Sequence, residues 1–195
     1  MDLLLASTSP IRRTLLLNAG VRHEAAAPEV NEAALKAAHP DEHDAGLALL
    51  LAQAKALRVS EANPEALALG SDSLVSVDGR RFSKPADKAE ASDHLRFFSG
   101  KTMTLTSAAV LARGGMAEWR HAEQARLSVR PLSEAFIGEY LDREWPEVGY
   151  CVGVFRLEGP GVQLFDRIEG DHFTILGLPL LPLLGALRRF GALQA

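Results

Sequence analysis

Short apolar runs alternate along the chain with polar stretches that contain glycine or proline. The first, Leu3–Ala6, is short enough to be a buried strand, and it stops at three hydroxyl residues, 7–9. Ser9 followed by Pro10 predicts a helix N-cap and first helical residue. Leucines at helical spacing continue to Gly20, which predicts the end of this helix. The N-terminal pattern therefore predicts a strand, a hydroxyl-rich turn and a helix.

The same patterns continue downstream and mix strands with helices. Further helices are predicted over about 42–62 and 87–98, in EAFIGEYLDRE after Ser133, and in the last apolar segment, with Pro179 near its start. Strands are predicted over 21–27, 66–77 with a short return after Asp78-Gly79, 101–112, AEWRHAEQARLSV after Gly114-Gly115, and as a pair in VGVFRLEGPGVQLFDRIEGD. Because no regular βαβ repeat is visible, we expect a mixed α/β protein with a twisted sheet.

Composition narrows the class of protein. The chain has 195 residues, 47% of them hydrophobic, which suits one domain or two intimately packed lobes, and we expect a single domain spanning 1–195. A net charge of −4 without a basic run argues against a nucleic-acid-binding surface. The single cysteine, Cys151, excludes an internal disulfide framework and a cysteine-based zinc site. No stretch resembles a membrane span or a signal peptide, so we expect a cytoplasmic protein that binds no membrane.

Two adjacent arginines lie in the first turn of the first predicted helix. Cations oppose the helix dipole there, because the N-terminus of a helix favours negative charge. An anion bound by the helix N-terminus, Arg12 and Arg13 would remove the conflict. The alternative is a surface turn with two solvated arginines.

Four further charged residues are candidates, each with an ordinary alternative. Asp72 is a carboxylate in an apolar strand and needs a partner there, although it could also cap a turn after Gly70. Lys84 ends a strand, Glu32 follows PEV in what reads as a loop, and Lys55 interrupts a small-residue helix. Each alone is typical of a solvated side chain. Together they offer cations for phosphates and carboxylates for a hard divalent cation.

No Walker-A, GxGxxG or GxSxG motif accompanies these residues. The residues themselves therefore predict an anion-binding site. Phosphate is the favoured anion, with Mg²⁺ as a candidate companion cation.

Collinear motifs make the sequence similar to the Maf family of nucleotide pyrophosphatases. The motifs are LLLASTSPIRRTLL, APEVNE, QAKA, GSDSLVSVDGRRFSKP, FFSGKT and FDRIEGDHFTILGLPL, in the family's order and spacing. Their details resemble the 7-methyl-GTP pyrophosphatase branch. The resemblance implies an elongated, inosine triphosphate pyrophosphatase-like fold with a mixed twisted sheet flanked by helices, and two lobes around a central cleft.

The resemblance also implies roles for individual residues. Asp72 corresponds to the general base, which would take a proton from water as the α–β phosphoanhydride is hydrolysed. The implied substrate-binding residues are Ser9, Ile11, Arg12, Arg13, Glu32, Lys55, Ser73, Lys84 and Glu158. Among them, Arg12 aligns better with the family's phosphate-binding arginine than Arg13 does. Glu158 would accept from the guanine edge, or alternatively form an ion pair with an arginine.

A divalent cation, Mg²⁺ or Mn²⁺, is the implied cofactor, with Glu32 and Asp72 as its ligands. Asn31 stands where the family usually has aspartate, which weakens such a site. The implied partner is a nucleoside triphosphate, and the resemblance to this branch favours 7-methyl-GTP. Two alternatives stay open: a different substrate such as dTTP or UTP, and a weakly catalytic regulator of septum formation in place of an enzyme. A homodimer is also open.

Overall fold

The structure is a computed structural model that describes residues 2–194. Its strands are β1 (Leu3–Ala6), β2 (Glu24–Ala25), β3 (Leu67–Val77), β4 (Arg80–Phe82), β5 (Thr102–Arg113), β6 (Met116–Val129) and β7 (Phe165–Glu169). Its α-helices are α1 (Pro10–Asn18), α2 (Glu32–Ala38), α3 (Asp44–Ala62), α4 (Lys88–Phe98), α5 (Glu134–Glu144), α6 (His172–Ile175) and α7 (Leu180–Arg189).

The strands form one mixed sheet, which confirms the predicted fold class. In the described residues the sheet has seven strands, in the order β2-β1-β3-β5-β6-β7, with β4 paired to β3 outside this path. β1 is parallel to both β2 and β3, whereas β4 is antiparallel to β3 and β7 is antiparallel to β6. Helices flank this sheet, as the alternating pattern predicts.

The chain divides into two compact units, each built from separate segments. The first unit contains the chain up to Ser73, Thr106–Gln124 and the residues from Asp171 on. The second contains Leu74–Leu105 and Ala125–Gly170. The expectation of a single domain over 1–195 stays a prediction.

The core of the first unit lies where strands and helices meet through leucines. Leu5 of β1, Leu69 of β3 and Leu111 of β5 are fully buried against Leu16 of α1 and Leu183 of α7. These positions are the apolar ones on which the strand and helix predictions depend, so burial of apolar area stabilises the predicted elements directly. In this way the core fixes the carboxyl end of β1 beside β3.

The second unit contains the two helices whose ends the sequence marks most clearly. Asp87 accepts a hydrogen bond from the backbone N–H of Glu90 at the start of α4, and Ser133 accepts one from Phe136 at the start of α5. Such caps satisfy backbone donors that a helix start leaves unpaired. The two helices contact each other, and the predicted Asp78-Gly79 turn joins β3 to β4.

Three local predictions differ from the structure. The loop assigned to Glu32 is wrong, because this residue begins α2 behind an Asn31 side chain that accepts from Ala34 N at 3.0 Å. The pair of strands predicted near the C-terminus is half wrong, since Pro160–Leu164 is a 3-10 helix and only β7 is a strand. The strand over 21–27 shrinks to the two residues of β2. Asparagine at 31 and proline and glycine at 160–161 determine local backbone shape in the first two segments, and apolar periodicity is weak in all three.

Candidate active site

The hydroxyl-rich turn follows β1, the strand from which the chain is connected to neighbouring strands on both sides of the sheet. After β1 the chain passes through α1 to β2 on one side, and it returns through α3 to β3 on the other side of β1. β1 and β3 are parallel and in register up to the pair Ala6–Gly70. Residues 7–9, which follow the carboxyl end of β1, therefore lie beside residues 71–73 inside β3. In open α/β sheets this position is where ligands bind.

Arg12 is buried at this point and bound almost entirely to protein atoms. Its Nε donates to Gly177 O at 2.8 Å, and its Nη1 donates to Ser71 O at 3.1 Å and to Ser7 Oγ at 3.3 Å. Its Nη2 donates to Ser73 Oγ at 2.9 Å. Since a guanidinium has five N–H donors, one N–H on Nη2 has no partner among the described residues.

Burial determines the electrostatics of Arg12. Loss of solvation lowers the pKa of its guanidinium, because burial disfavours the charged form. The negative charges of Asp72 and, less strongly, Glu32 act in the opposite direction and raise that pKa. Arg12 therefore lies within electrostatic reach of both carboxylates.

Lys55 bridges the two carboxylates. Its Nζ lies 2.5 Å from Asp72 Oδ1 and 2.7 Å from Glu32 Oε1. Asp72 and Lys55 are buried, whereas the Glu32 side chain is 42% exposed. The partner that the apolar strand demands for Asp72 is thus a lysine, and the turn-capping alternative does not hold because Asp72 lies inside β3. Asp72 Oδ2 has no hydrogen-bond partner among the described residues.

Gly70 has no side chain, and α3 therefore packs close enough to β3 for Lys55 to reach Asp72. A Cβ at Gly70 would lie 2.0 Å from Ala52 O and 2.6 Å from Ala56 N, both backbone atoms of α3. Only glycine therefore allows α3 to approach β3 this closely. Lys55 lies between these two α3 residues, and Asp72 lies two residues beyond Gly70 in β3.

Arg13 is placed differently from its neighbour. It is exposed and lines a cavity of about 320 Å³ together with the hydroxyl turn and the first residues of α1. Ser9 is the N-cap residue, but its side chain accepts no hydrogen bond from the helix. The first backbone N–H groups of α1 therefore have no side-chain cap, and with Arg13 they provide donors suited to an anion. Ile11 is half-buried in the same turn.

The donor set for a divalent cation is small. No three His, Cys, Asp or Glu side chains come together for a metal in the part of the chain that the structure describes. Glu32 and Asp72 provide two carboxylates, and Lys55 lies between them. Two carboxylates fit Mg²⁺ when substrate phosphates and water supply its remaining ligands, which is the usual arrangement for this ion.

Lys84 and Glu158 belong to the second unit, and both side chains are exposed. Each acts on the thiol of half-buried Cys151, whose pKa rises to about 11. Burial is the main cause, the negative charge of Glu158 adds to it, and the positive charges of Arg156 and Lys84 oppose it. The charges of Lys84 and Glu158 therefore act on the same thiol, in opposite directions.

The ion-pair alternative for Glu158 has little support in these contacts. Arg156 pairs with Glu144 at 2.9 Å, and Arg167 pairs with Glu169 at 2.5 Å. Among the described residues, Glu158 forms no ion pair within 4.0 Å, although its charge contributes to raising the pKa of Arg156. Its carboxylate is left available to another donor.

Several polar residues around Arg12 escaped sequence reasoning. They are Ser7, Ser71, Ser107, Thr174 and Gly177. Gly177 has a φ of +101°, a conformation that favours glycine, and its carbonyl accepts from Arg12 and Ser71. For Thr174 and Gly177 the signal lay in the motif FDRIEGDHFTILGLPL, which carries the resemblance, but neither residue has an ionisable side chain that would single it out.

Comparison with known families decides the class of protein. The family model described as Maf-like protein matches residues 2–190. The chain belongs to the Maf-like family. This match covers both units and every residue of the site described above.

Curated members of the Maf-like family are similar over almost the whole chain. A 7-methyl-GTP pyrophosphatase of Rhizobium etli is 49% identical, covering 98% of each chain. One of Brucella suis is 47% identical, covering 97% of this chain and 96% of its own. A nucleoside triphosphate pyrophosphatase of Sphingopyxis alaskensis is 43% identical, covering 98% of each.

A solved structure is similar at a lower level. A dITP/XTP pyrophosphatase of Mycobacterium abscessus has a TM-score of 0.39 and 19% identity, covering 68% of this chain and 76% of its own. Similarity at this level says nothing about the substrate of the present chain.

In residues 2–194, no helix has the length and apolar character needed to cross a bilayer.

Proposed function

We propose that this chain is a nucleoside triphosphate pyrophosphatase that hydrolyses 7-methyl-GTP between its α- and β-phosphates. The products are the nucleoside monophosphate and pyrophosphate. The observation that carries the proposal is the buried Asp72–Lys55 pair, joined by Glu32, at the place where β1 ends beside β3. Relatives that bear the name 7-methyl-GTP pyrophosphatase, 46–49% identical over nearly the full chain, support the substrate.

Asp72 acts as general base in this proposal. Its Oδ1 is held by Lys55, and its Oδ2 is left to accept a proton from the attacking water. Lys55 fixes the carboxylate in place and keeps a positive charge next to it. The proton moves from water to Oδ2 as the oxygen attacks phosphorus, and pyrophosphate leaves.

Arg13 and the start of α1 hold the phosphates. Arg13 makes no side-chain hydrogen bond to a described residue, so all its guanidinium donors are available for phosphate oxygens. Arg12 contributes at most the single N–H on Nη2. This division favours Arg13 as the principal phosphate ligand, whereas the alignment of motifs favours Arg12. Lys84, exposed in the second unit, supplies a further cation.

Glu32 would hold the divalent cation that the resemblance implies, because Asp72 already uses Oδ1 for Lys55 and Oδ2 for the attacking water. When bound, Mg²⁺ or Mn²⁺ would neutralise charge that develops on the phosphates. Glu32 is the better exposed of the two carboxylates, and its position at the start of α2 keeps it beside Lys55.

The purine base is recognised by Glu158. Guanine presents two neighbouring donors, N1–H and the N2 amino group, and a carboxylate has two oxygens that accept from both. The positive charge of a 7-methylated ring strengthens this pairing.

A pyrophosphate-release assay over 7-methyl-GTP, GTP, dTTP and UTP, each with Mg²⁺ or Mn²⁺, tests the proposed function. We expect the highest kcat/KM for 7-methyl-GTP. A higher value for dTTP or UTP would assign a different substrate to the site. Absence of pyrophosphate with every nucleotide would reject the enzyme and favour a nucleotide-binding regulator.

A further inference from the structure

A chain of two hydroxyl groups, of half-buried Ser73 and buried Ser107, connects Arg12 to helix α6. Ser73 Oγ lies 2.8 Å from Ser107 Oγ, and Ser107 Oγ donates to Thr174 O at 2.8 Å. Ser107 lies on β5 and Thr174 on α6, and both are fully inaccessible to solvent. A hydroxyl at position 107 is conspicuous because the next five residues of β5, 108–112, are all buried and apolar.

The hydrogen bonds of this chain have only one consistent direction. A guanidinium can only donate, so Ser73 Oγ accepts from Arg12 Nη2. A backbone carbonyl can only accept, so the hydrogen of Ser107 points to Thr174 O. The hydrogen shared by the two serines therefore belongs to Ser73 and points to Ser107, which at 2.8 Å is a better acceptor than Gly177 O at 3.4 Å.

The direction of these hydrogen bonds affects the Arg12 guanidinium, whose charge lies close to Asp72. Hydrogen bonds that point the same way polarise one another, so Ser73 becomes a stronger acceptor for Arg12. Loss of the Ser107 hydroxyl leaves the hydrogen of Ser73 with Gly177 O alone, which already accepts from Arg12 and Ser71. The Nη2 end of the guanidinium would then be held less firmly, while the three hydrogen bonds of Nε and Nη1 remain.

We propose that Ser107 is a positioning residue: through Ser73 it orients Arg12, so that the remaining N–H of Nη2 is presented to the charge that develops on the phosphates. This inference rests on the proposed function. Because that N–H acts mainly on the transition state, the loss falls on kcat rather than on KM.

The test compares Ser107→Ala with Thr106→Val. Thr106 is the neighbouring residue of β5, is also fully buried, and accepts a hydrogen bond from Gln124 instead of from the Arg12 chain. We expect Ser107→Ala to lower kcat for 7-methyl-GTP by about tenfold with KM within about twofold, and Thr106→Val to leave both nearly unchanged. Equal kinetic effects of the two variants would overturn the proposal.

A double-mutant cycle separates positioning from a general loss of stability. Ser73→Ala, Ser107→Ala and the double variant are compared by kcat and by the guanidinium signals of Arg12 in ¹⁵N NMR. We expect the double variant to be no slower than the slower single variant, and the Arg12 signals to shift in all three. Multiplicative losses in kcat, or unshifted Arg12 signals in Ser107→Ala, would overturn the inference. A wild-type protein inactive on every nucleotide would reject the proposed function instead, and the NMR comparison would still test the hydrogen-bond chain.

Discussion

Adjacent residues Arg12 and Arg13 have the same side chain and opposite environments. Arg12 is buried and donates to four protein oxygens, whereas Arg13 is exposed in the cavity beside the first turn of α1. A buried polar network stabilises the fold when it is satisfied and costs stability when one member is removed. An exposed side chain carries no such structural cost.

Alanine substitution should separate these two arginines. Arg12→Ala leaves several buried oxygens without a donor and should lower the free energy of unfolding by roughly 2–4 kcal/mol. Arg13→Ala should change it by less than about 0.5 kcal/mol and should raise KM for the triphosphate about tenfold. Urea unfolding and steady-state kinetics measure the two effects. An Arg13→Ala variant with wild-type KM would assign that arginine to solvated surface.

Glu158 is the residue on which base recognition depends in this account. In Glu158→Gln an amide N–H₂ faces a donor of guanine, so kcat/KM for 7-methyl-GTP should fall at least about tenfold, while activity on UTP should fall less or rise. Glu147→Gln is the matched control, since Glu147 is another exposed glutamate of the second unit near Cys151. Equal losses on all nucleotides would contradict the assignment.

The Cys151 thiol reports independently on the neighbours of Glu158. Its pKa of about 11 makes it mostly protonated below that pH, so its reaction with a disulfide reagent at pH 8.5 should be slow. Glu158→Gln removes a charge that raises this pKa and should speed the reaction. Lys84→Ala removes a charge that lowers it and should slow the reaction. Changes of the same sign in both variants would contradict the arrangement around the thiol.

Among the elements, the contact between α3 and β3 matters most for the site. Gly70→Ala places a methyl group against the backbone of α3 and should destabilise the protein by about 1–3 kcal/mol. It should also lower kcat, because Lys55 moves with its helix. Gly185→Ala in α7, where a Cβ meets nothing within 4 Å, is the control and should be neutral or stabilising. Thermal melts and kinetics of the two variants compare them directly, and a fully active, stable Gly70→Ala would contradict the role of this contact.

Helices and strands with a strong apolar periodicity were predictable from the sequence. The contacts between polar side chains that are distant in the sequence were not. The bounds of α4 and α5 follow from their capping residues, those of α1 follow from Pro10 and its leucine spacing, and Asp72 was predicted in a strand. The contacts of Arg12 with Gly177 and of Ser73 with Ser107 join residues 165 and 34 positions apart. Local patterns carry no information about such pairs, so the sequence indicated an anion site but not which arginine faces it.

At the scale of the whole molecule, residues with proposed roles come from both units. Asp72, Lys55 and Arg13 lie in the first unit, and Lys84 and Glu158 lie in the second. Neither unit is a continuous segment, since strands β3, β5 and β6 each contribute residues to both. Truncation therefore cannot isolate one set of roles, and point substitutions in the full chain are the appropriate tests.

The position of bond cleavage tests the central claim most directly. Wild-type protein and Asp72→Asn are incubated with 7-methyl-GTP and Mg²⁺, and the products are identified by ³¹P NMR. We expect 7-methyl-GMP and pyrophosphate from the wild type, and a kcat lower by about 10²–10⁴-fold in Asp72→Asn with nucleotide binding retained. Release of phosphate with 7-methyl-GDP, or an Asp72→Asn variant that keeps most of its kcat, would contradict it.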